Sequence, residues 1–141
     1  MTETAAERPG ALPPARPRVR LHRLALRDFR NFERQDVAFP ADGLVVIGEN
    51  GHGKSNLLEA IYYLQLLRSV RGARDQDLVR FGALGFHLGA SVERPGGPAG
   101  AQEIGVGFER AGKRKRVRLG GAEPPRLRDA LGAVPSVIFS P

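Results

Sequence analysis

Eight consecutive residues have the types and spacing needed to hold a phosphate group. A glycine is followed by four residues and then by Gly53, Lys54 and Ser55, which is the Walker A spacing. Glycines let the backbone form a tight loop whose N–H groups approach phosphate oxygens. Lys54 would act catalytically by stabilising charge on the β- and γ-phosphates, and the Ser55 hydroxyl would bind Mg²⁺. The predicted nucleotide-binding residues of this loop are Gly48, Glu49, Asn50, Gly51, His52, Gly53, Lys54 and Ser55.

Two flanking elements must position this loop. Residues 44–47 are apolar and mostly β-branched, which is typical of a buried parallel strand. Residues 56–68 repeat apolar side chains at helical spacing, so they predict a helix that begins next to the loop. A strand, a glycine loop and a helix in this order indicate a P-loop rather than a glycine-rich turn that merely caps a helix.

The other elements are predicted from apolar alternation and from turn-forming residues. A bend is predicted over residues 28–32, a helical turn over 75–80 and a short helix over 126–131. Residues 1–18 contain four prolines and predict a disordered tail, which leaves residues 19–141 for the folded part. Strands are predicted over residues 19–27, 35–39, 86–93, 102–110, 113–119 and 136–139.

These elements predict an α/β fold. We expect a mixed sheet with the P-loop helix packed on it, and an antiparallel hairpin formed by residues 102–119.

Composition limits the function classes. With 141 residues, 41% of them hydrophobic, the chain can form one domain with a core. It contains no cysteine, which excludes disulfides and thiolate metal sites and fits a reducing compartment. No apolar run is long enough to span a membrane and no secretion signal is recognisable, so we expect a cytoplasmic protein. The net charge of +7 favours a polyanionic partner such as nucleic acid.

A resemblance to a known family is carried by three motifs. They are Phe29-Arg30-Asn31, the Gly-Glu-Asn-Gly form of the loop at residues 48–51, and Asn-Leu-Leu-Glu-Ala-Ile at residues 56–61. In this combination they resemble the N-terminal lobe of the RecF family, bacterial DNA replication and repair ATPases of the SMC-like branch of ABC ATPases. The connector at residues 71–81 and the closing residues 137–141 are also similar to that family.

The resemblance implies a protein that binds ATP with Mg²⁺ and forms a homodimer, head to head, around two nucleotides. It also implies binding of double-stranded, gapped DNA during recombinational repair, together with RecR and RecO. In such proteins an arginine of the N-terminal aromatic-Arg stretch approaches the nucleotide phosphates, and here that arginine is Arg30. Without the resemblance, Arg30 would be interpreted as a surface arginine at the end of a strand.

The end of the chain leaves other functions open. The signature motif, the Walker B acids and the switch histidine of that family would lie beyond Pro141, so we expect the first part of a longer ATPase whose hydrolysis these residues do not establish. One alternative is another SMC-like or defence-type P-loop ATPase. Another is a truncated product that binds nucleotide or DNA and hydrolyses nothing.

A basic run forms the second candidate site. In a strand, Arg114, Arg116 and Arg118 project from one face, which fits sequence-independent contact with the DNA backbone. The same row fits a solvated hairpin edge whose charges prevent edge-to-edge association. The six positive residues of the run, with no acid among them, are Arg110, Lys113, Arg114, Lys115, Arg116 and Arg118.

Several other polar residues are expected to be structural. Glu59 is predicted to be a carboxylate on the helix surface, and Tyr62 and Tyr63 are predicted to be packing residues. His22 and His87 have no partner at metal-binding spacing, so we expect no metal at either.

Overall fold

The computed structural model describes residues 19–47, 53–94 and 100–126. The predicted tail, the predicted helix beyond residue 126 and the predicted strand over residues 136–139 lie outside these ranges. Residues 48–52 of the predicted loop also lie outside them, whereas Gly53, Lys54 and Ser55 lie within.

Five strands form one sheet in the order β2-β1-β3-β4-β5. Apart from the strand predicted over residues 44–47, the strands and the long helix predicted within the described residues are confirmed, as is the α/β class. All four strand pairs are antiparallel, so the described sheet is not the mixed sheet that we expected. The elements are β1 (Arg20–Phe29), β2 (Phe32–Ala38), α1 (Lys54–Leu66), α2 (Asp75–Leu78), β3 (Gly85–Glu93), β4 (Gln102–Glu109) and β5 (Arg114–Leu119).

One face of the sheet packs against α1, and we call it the inner face. Strand alternation places apolar side chains there, and the helix contributes Leu57, Ile61 and Leu64 of the apolar residues predicted from its periodicity. Leu58, which the periodicity also predicted, is exposed. The Phe86 ring lies at its centre, 5.3 Å from Phe29, 5.5 Å from Tyr63 and 5.7 Å from Phe108, between ring centroids. Tyr63 is therefore a packing residue, as predicted. The opposite side is the outer face, and its middle carries polar residues and glycines.

The predicted buried strand before the loop is wrong. Residues 44–47 are not assigned to a strand, and the exposed fractions of Val45 and Ile47 are 81% and 89%. A buried parallel strand needs neighbours on both edges and cover on both faces. Among the described residues no strand pairs with this segment, so its apolar side chains remain exposed.

The bend predicted near residue 30 is a two-residue turn between β1 and β2. Asp28 and Arg30 have left-handed backbone conformations, with φ of 51° and 54°. Residues after α2 hold this backbone in place: the Arg30 N–H donates to the Leu78 carbonyl at 2.7 Å, and the Arg80 N–H donates to the Asp28 carbonyl at 2.7 Å. The bend is thus fixed from outside its own hairpin, which sets the direction of the Arg30 side chain.

Candidate nucleotide-binding site

The end of the predicted loop is seated directly on the β1–β2 bend. Gly53 has φ of 90°, and a Cβ atom there would lie 2.8 Å from the Asn31 amide nitrogen and 2.9 Å from the Phe32 ring. Only glycine accommodates both the left-handed backbone and this approach. The Asn56 amide also donates to Asn31 Oδ1 at 2.9 Å. The loop and the bend are therefore one local unit.

Lys54 and Ser55 lie in the first turn of α1, as the Walker A spacing predicts. The Leu57 N–H donates to the Gly53 carbonyl at 2.9 Å, which closes the first helical turn. That turn contains no acidic side chain. The positive end of the helix dipole and the N–H groups of this first turn favour an anion at this end.

A cavity of about 230 Å³ lies beside this helix start. Its walls are mostly apolar side chains from β2 and from residues 46–47, and the end of the glycine loop supplies polar groups. Mostly apolar walls with a few polar groups are common in small-molecule sites. The lining residues are Phe32, Gln35, Val37, Val46, Ile47, Gly53, Lys54 and Leu57.

Arg30 is held by a buried carboxylate on α1. Its Nε donates to Glu59 Oε1 at 2.8 Å and its Nη2 donates to Glu59 Oε2 at 3.1 Å. The Glu59 side chain is fully buried, while 24% of the Arg30 side chain is exposed. A bidentate pair of this kind fixes the orientation of the guanidinium plane as well as its charge.

The same carboxylate receives two further contacts from the segment after α1. The Ser69 hydroxyl donates to Glu59 Oε2 at 2.6 Å, and Arg71 Nε lies 3.9 Å from that oxygen. The Ser69 Oγ in turn accepts from the Arg71 backbone N–H at 3.1 Å. Glu59 therefore links α1, the bend and the connector.

These contacts shift both pKa values in the direction that keeps the pair charged. Burial acts to raise the pKa of Glu59, but hydrogen bonds from Arg30 and Ser69 and the charges of Arg30 and Arg71 outweigh it and lower the pKa. The hydrogen bond to Glu59 raises the pKa of Arg30 against the opposing effect of burial.

The prediction that Glu59 is a surface carboxylate is wrong. Helical spacing puts Glu59 four residues before Tyr63 and next to Ala60, both of which are buried. That position at the border of the apolar stripe was the one available signal. Ser69, which sequence reasoning did not single out, is also buried and joins the same cluster.

The basic run divides between the two faces of the sheet. Arg114, Arg116 and Arg118 lie on the outer face and are exposed, as the alternation predicts. Lys115 points inward, where its Nζ lies 2.9 Å from an Asp75 carboxylate oxygen and donates to the Leu67 carbonyl at 2.5 Å. Within the described residues no His, Asp and Glu side chains are grouped as they would be to hold a metal. None of the described helices is long and apolar enough to cross a bilayer.

Comparison with known proteins supports the resemblance seen in the motifs. A family model described as RecF/RecN/SMC N terminal domain matches residues 20–95. The chain is 38% identical over 123 residues to the DNA replication and repair protein RecF of Halalkalibacterium halodurans, covering 87% of this chain and 32% of that protein. It is 42% identical over 135 residues to the protein of the same name from Chloroflexus aggregans, covering 86% of this chain and 34% of that protein.

Two solved structures are also similar to this chain. One is of the recombination mediator protein RecF with ATP in the RecFOR pathway, with a TM-score of 0.83 and 30% identity over 91% of this chain and 34% of that one. The other is of the same recombination mediator, described as RecF-ATPrS. Its TM-score is 0.80 and its sequence identity is 32%, over 89% of this chain and 33% of that chain. The chain spans about one third of the length of these relatives.

Proposed function

This chain belongs to the RecF/RecN/SMC N terminal domain family, and we propose that it is the ATP-binding lobe of a RecF-type DNA replication and repair protein. The similar proteins carry that name, and one solved relative is described as RecF-ATP. A protein that acts on DNA repair intermediates would work in the cytoplasm.

The main support for this proposal is the close contact between Gly53 and the β1–β2 bend. It brings the end of the Walker A motif, the first turn of α1 and the bend of Arg30 into contact. Residues 48–55 would surround the phosphates, with Lys54 on the β- and γ-phosphates and Ser55 on Mg²⁺. The residues present fit that ligand, because the first turn of α1 carries no acid that would repel a triphosphate.

Arg30 is proposed to complete the phosphate site. Its hydrogen bonds to Glu59 use Nε and Nη2, and a guanidinium has five N–H donors in a fixed plane. We propose that the remaining donors contact a phosphate oxygen while Glu59 holds the plane. Bound ATP would then contact both the glycine loop and the β1–β2 bend.

Replacement of Lys54 tests the nucleotide site. Lys54→Ala should abolish measurable ATP binding in titration calorimetry with Mg²⁺, because it removes the charge-assisted contact to the phosphates. Lys113→Ala is the matched control, since it removes an exposed lysine from the β4–β5 turn and should leave ATP affinity unchanged. Micromolar ATP affinity retained by Lys54→Ala would overturn the site assignment.

DNA is the proposed macromolecular partner, with binding controlled by the nucleotide. Arg114, Arg116 and Arg118 are proposed to contact its phosphate backbone. Their simultaneous replacement by serine should weaken DNA binding and flatten its salt dependence. If the salt dependence of DNA binding were unchanged in that triple variant, the arginines would only form a solvated hairpin edge and would not contact DNA.

The remaining parts of the proposal follow from the family resemblance. They are ATP-dependent homodimerisation, ATP hydrolysis, and action with RecR and RecO on gapped DNA. Sustained ATP turnover by this chain alone would exclude the alternative of a non-hydrolysing product. A heptad coiled-coil array following these residues in the full protein would favour another SMC-like ATPase over a RecF type.

A further inference from the structure

The outer face of the sheet has arginines on two sides of a glycine floor. Cross-strand register aligns these residues in two adjacent rows that run from β2 through β1, β3 and β4 to β5. The first row is Arg34, Arg27, His87, Gly107 and Arg116. The second row is Asp36, Ala25, Gly89, Gly105 and Arg118. We call Arg27 with Arg34 the first arginine pair, and Arg116 with Arg118 the second arginine pair.

The floor between the two arginine pairs consists mainly of glycines that are covered by one histidine ring. Gly89, Gly105 and Gly107 have no side chains, and the His87 ring lies over them. Cβ atoms built at these glycines would lie 3.5 Å, 3.5 Å and 3.9 Å from atoms of that ring. Two adjoining cavities of about 330 Å³ and 390 Å³ lie on this face and share Arg23, Ala25 and His87. The face is therefore concave over the glycine floor.

The charge of this face is positive on both sides of the floor. Within the described parts of the chain, no ion pair engages any member of the two arginine pairs. Asp36, the acid of the two rows, is neutralised by Arg23 at 2.7 Å. The other acids of the face lie near strand ends, at Glu93, Glu103 and Glu109. Partial burial and the charge of Arg27 lower the pKa of His87, so its ring adds no charge at neutral pH.

We propose that this outer face seats a DNA duplex by its phosphate backbone, with the first arginine pair on one strand and the second pair on the other. The proposal rests on the DNA-dependent function proposed above and gives that function a surface. Neighbouring strands of a sheet are about 4.8 Å apart, so β5, which carries the second pair, lies about 14 Å from Arg27 on β1 and about 19 Å from Arg34 on β2. A separation of this size places the two arginine pairs on opposite sides of a seated duplex.

The chemistry of this face favours backbone contact over base reading. Arginine forks match phosphate oxygens geometrically. Apart from the His87 ring, the glycine floor presents no polar side chain that could distinguish base edges. A surface of this kind predicts strong salt dependence, weak sequence preference and preference for a duplex over a single strand.

The test compares two double variants with a control of equal charge. Arg27→Ser/Arg34→Ser and Arg116→Ser/Arg118→Ser each remove one arginine pair. Arg68→Ser/Arg74→Ser removes two exposed arginines of the α1–α2 connection instead. Duplex affinity is measured against salt concentration by fluorescence anisotropy, with a random-sequence duplex and a single strand of equal length. ATP affinity is measured on every variant.

Each face variant should reduce the slope of log K against log salt by about 2, since each lost phosphate contact contributes about 0.9. The control should retain the original slope, and ATP affinity should stay within twofold in all three variants. Face variants whose duplex affinity and salt slope equal those of the control would overturn the proposal. This holds even if the face were found to bind an acidic protein instead. Equal losses for duplex and single strand would overturn the assignment of two strands to two pairs. Failure of Lys54→Ala to affect ATP binding would contradict the nucleotide site alone.

A neutral variant tests the floor separately from charge. Gly105 does not have a left-handed backbone, and a Cβ there would be in ordinary contact with the His87 ring. Gly105→Gln should therefore fold, while its side chain rises between the arginine pairs and holds the duplex away. We expect at least a fivefold loss of duplex affinity with an unchanged melting temperature. Full duplex affinity in the folded variant would show that DNA does not approach the floor.

Discussion

The two faces of the sheet use charged side chains in opposite ways, and β5 shows the contrast within three residues. Lys115 points inward and is held between the Asp75 carboxylate and the Leu67 carbonyl. Its neighbours Arg114 and Arg116 point outward and are exposed. A charge on the inner face is thus committed to structural partners. Among the described residues Arg114 and Arg116 form no ion pair, so their charges remain available to solvent or to a ligand.

Burial explains this difference. A charge removed from water is tolerated only with close partners, so Glu59 is surrounded by Arg30, Ser69 and Arg71. Such a cluster contributes little net stability compared with apolar packing, but it fixes geometry. On the outer face, water solvates the arginine side chains in place of a charged partner, and the side chains keep their conformational freedom.

Removal of the Glu59 charge is the strongest way to test this comparison. Glu59→Gln leaves the Arg30 guanidinium without its carboxylate, so we expect a loss of about 3 kcal/mol in the free energy of unfolding. Urea denaturation at pH 7 measures it. Glu103→Gln, at an exposed carboxylate of the outer face, is the control and should change stability by less than about 0.5 kcal/mol. Equal effects of the two substitutions would remove the distinction between inner and outer charges.

The pH dependence of stability sharpens the same comparison. The folded-state pKa of Glu59 is lowered, whereas the unfolded chain has a value near about 4.3. The stabilisation from this group is therefore fully present above the unfolded-state pKa and is lost as pH falls through the folded-state pKa. The difference in stability between the original protein and Glu59→Gln should shrink below about pH 4. A difference that stays constant from pH 7 to pH 3 would contradict the assigned shift.

The sequence predicted the positions of helices and strands better than it predicted which apolar segments are buried. Alternation located β3 and β4 because their inner residues recur every second position, for example Phe86 and Leu88. The apolar run at residues 44–47 satisfied the same kind of rule but is exposed. Whether an apolar segment is buried depends on neighbours from other parts of a fold, and local pattern contains no information about them.

The site was predictable where it is local and unpredictable where it is not. Gly53, Lys54 and Ser55 lie at the start of a helix because their spacing specifies a loop followed by a helix. The Arg30–Glu59 pair joins residues 29 positions apart, and it depends on a positive φ at Arg30 that no propensity predicts for arginine. Side-chain pairs of this kind become visible only with the tertiary structure.

A smaller effect is expected at Lys115, where the comparison concerns adjacent residues. Lys115→Met preserves the aliphatic stem but removes the contacts to Asp75 and to the end of α1, so we expect a loss of about 2 kcal/mol. Arg116→Met, on the outer face, should change stability by less than about 0.5 kcal/mol. Thermal unfolding of the two variants provides the measurement. The reverse order of the two effects would show that the inward side chain of β5 has been assigned incorrectly.

The smallest effect is expected for a methyl group added to the outer face. Gly105→Ala places a Cβ 3.5 Å from His87 Nε2, an ordinary contact, and alanine restricts the unfolded chain more than glycine. Stability should therefore change by no more than about 0.5 kcal/mol. The opposite change on the inner face, Ala90→Gly, removes a buried methyl group and should destabilise by about 1 to 2 kcal/mol. If Gly105→Ala were as destabilising as Ala90→Gly, the glycines would be required for packing, and the outer face would not be an open floor for a ligand.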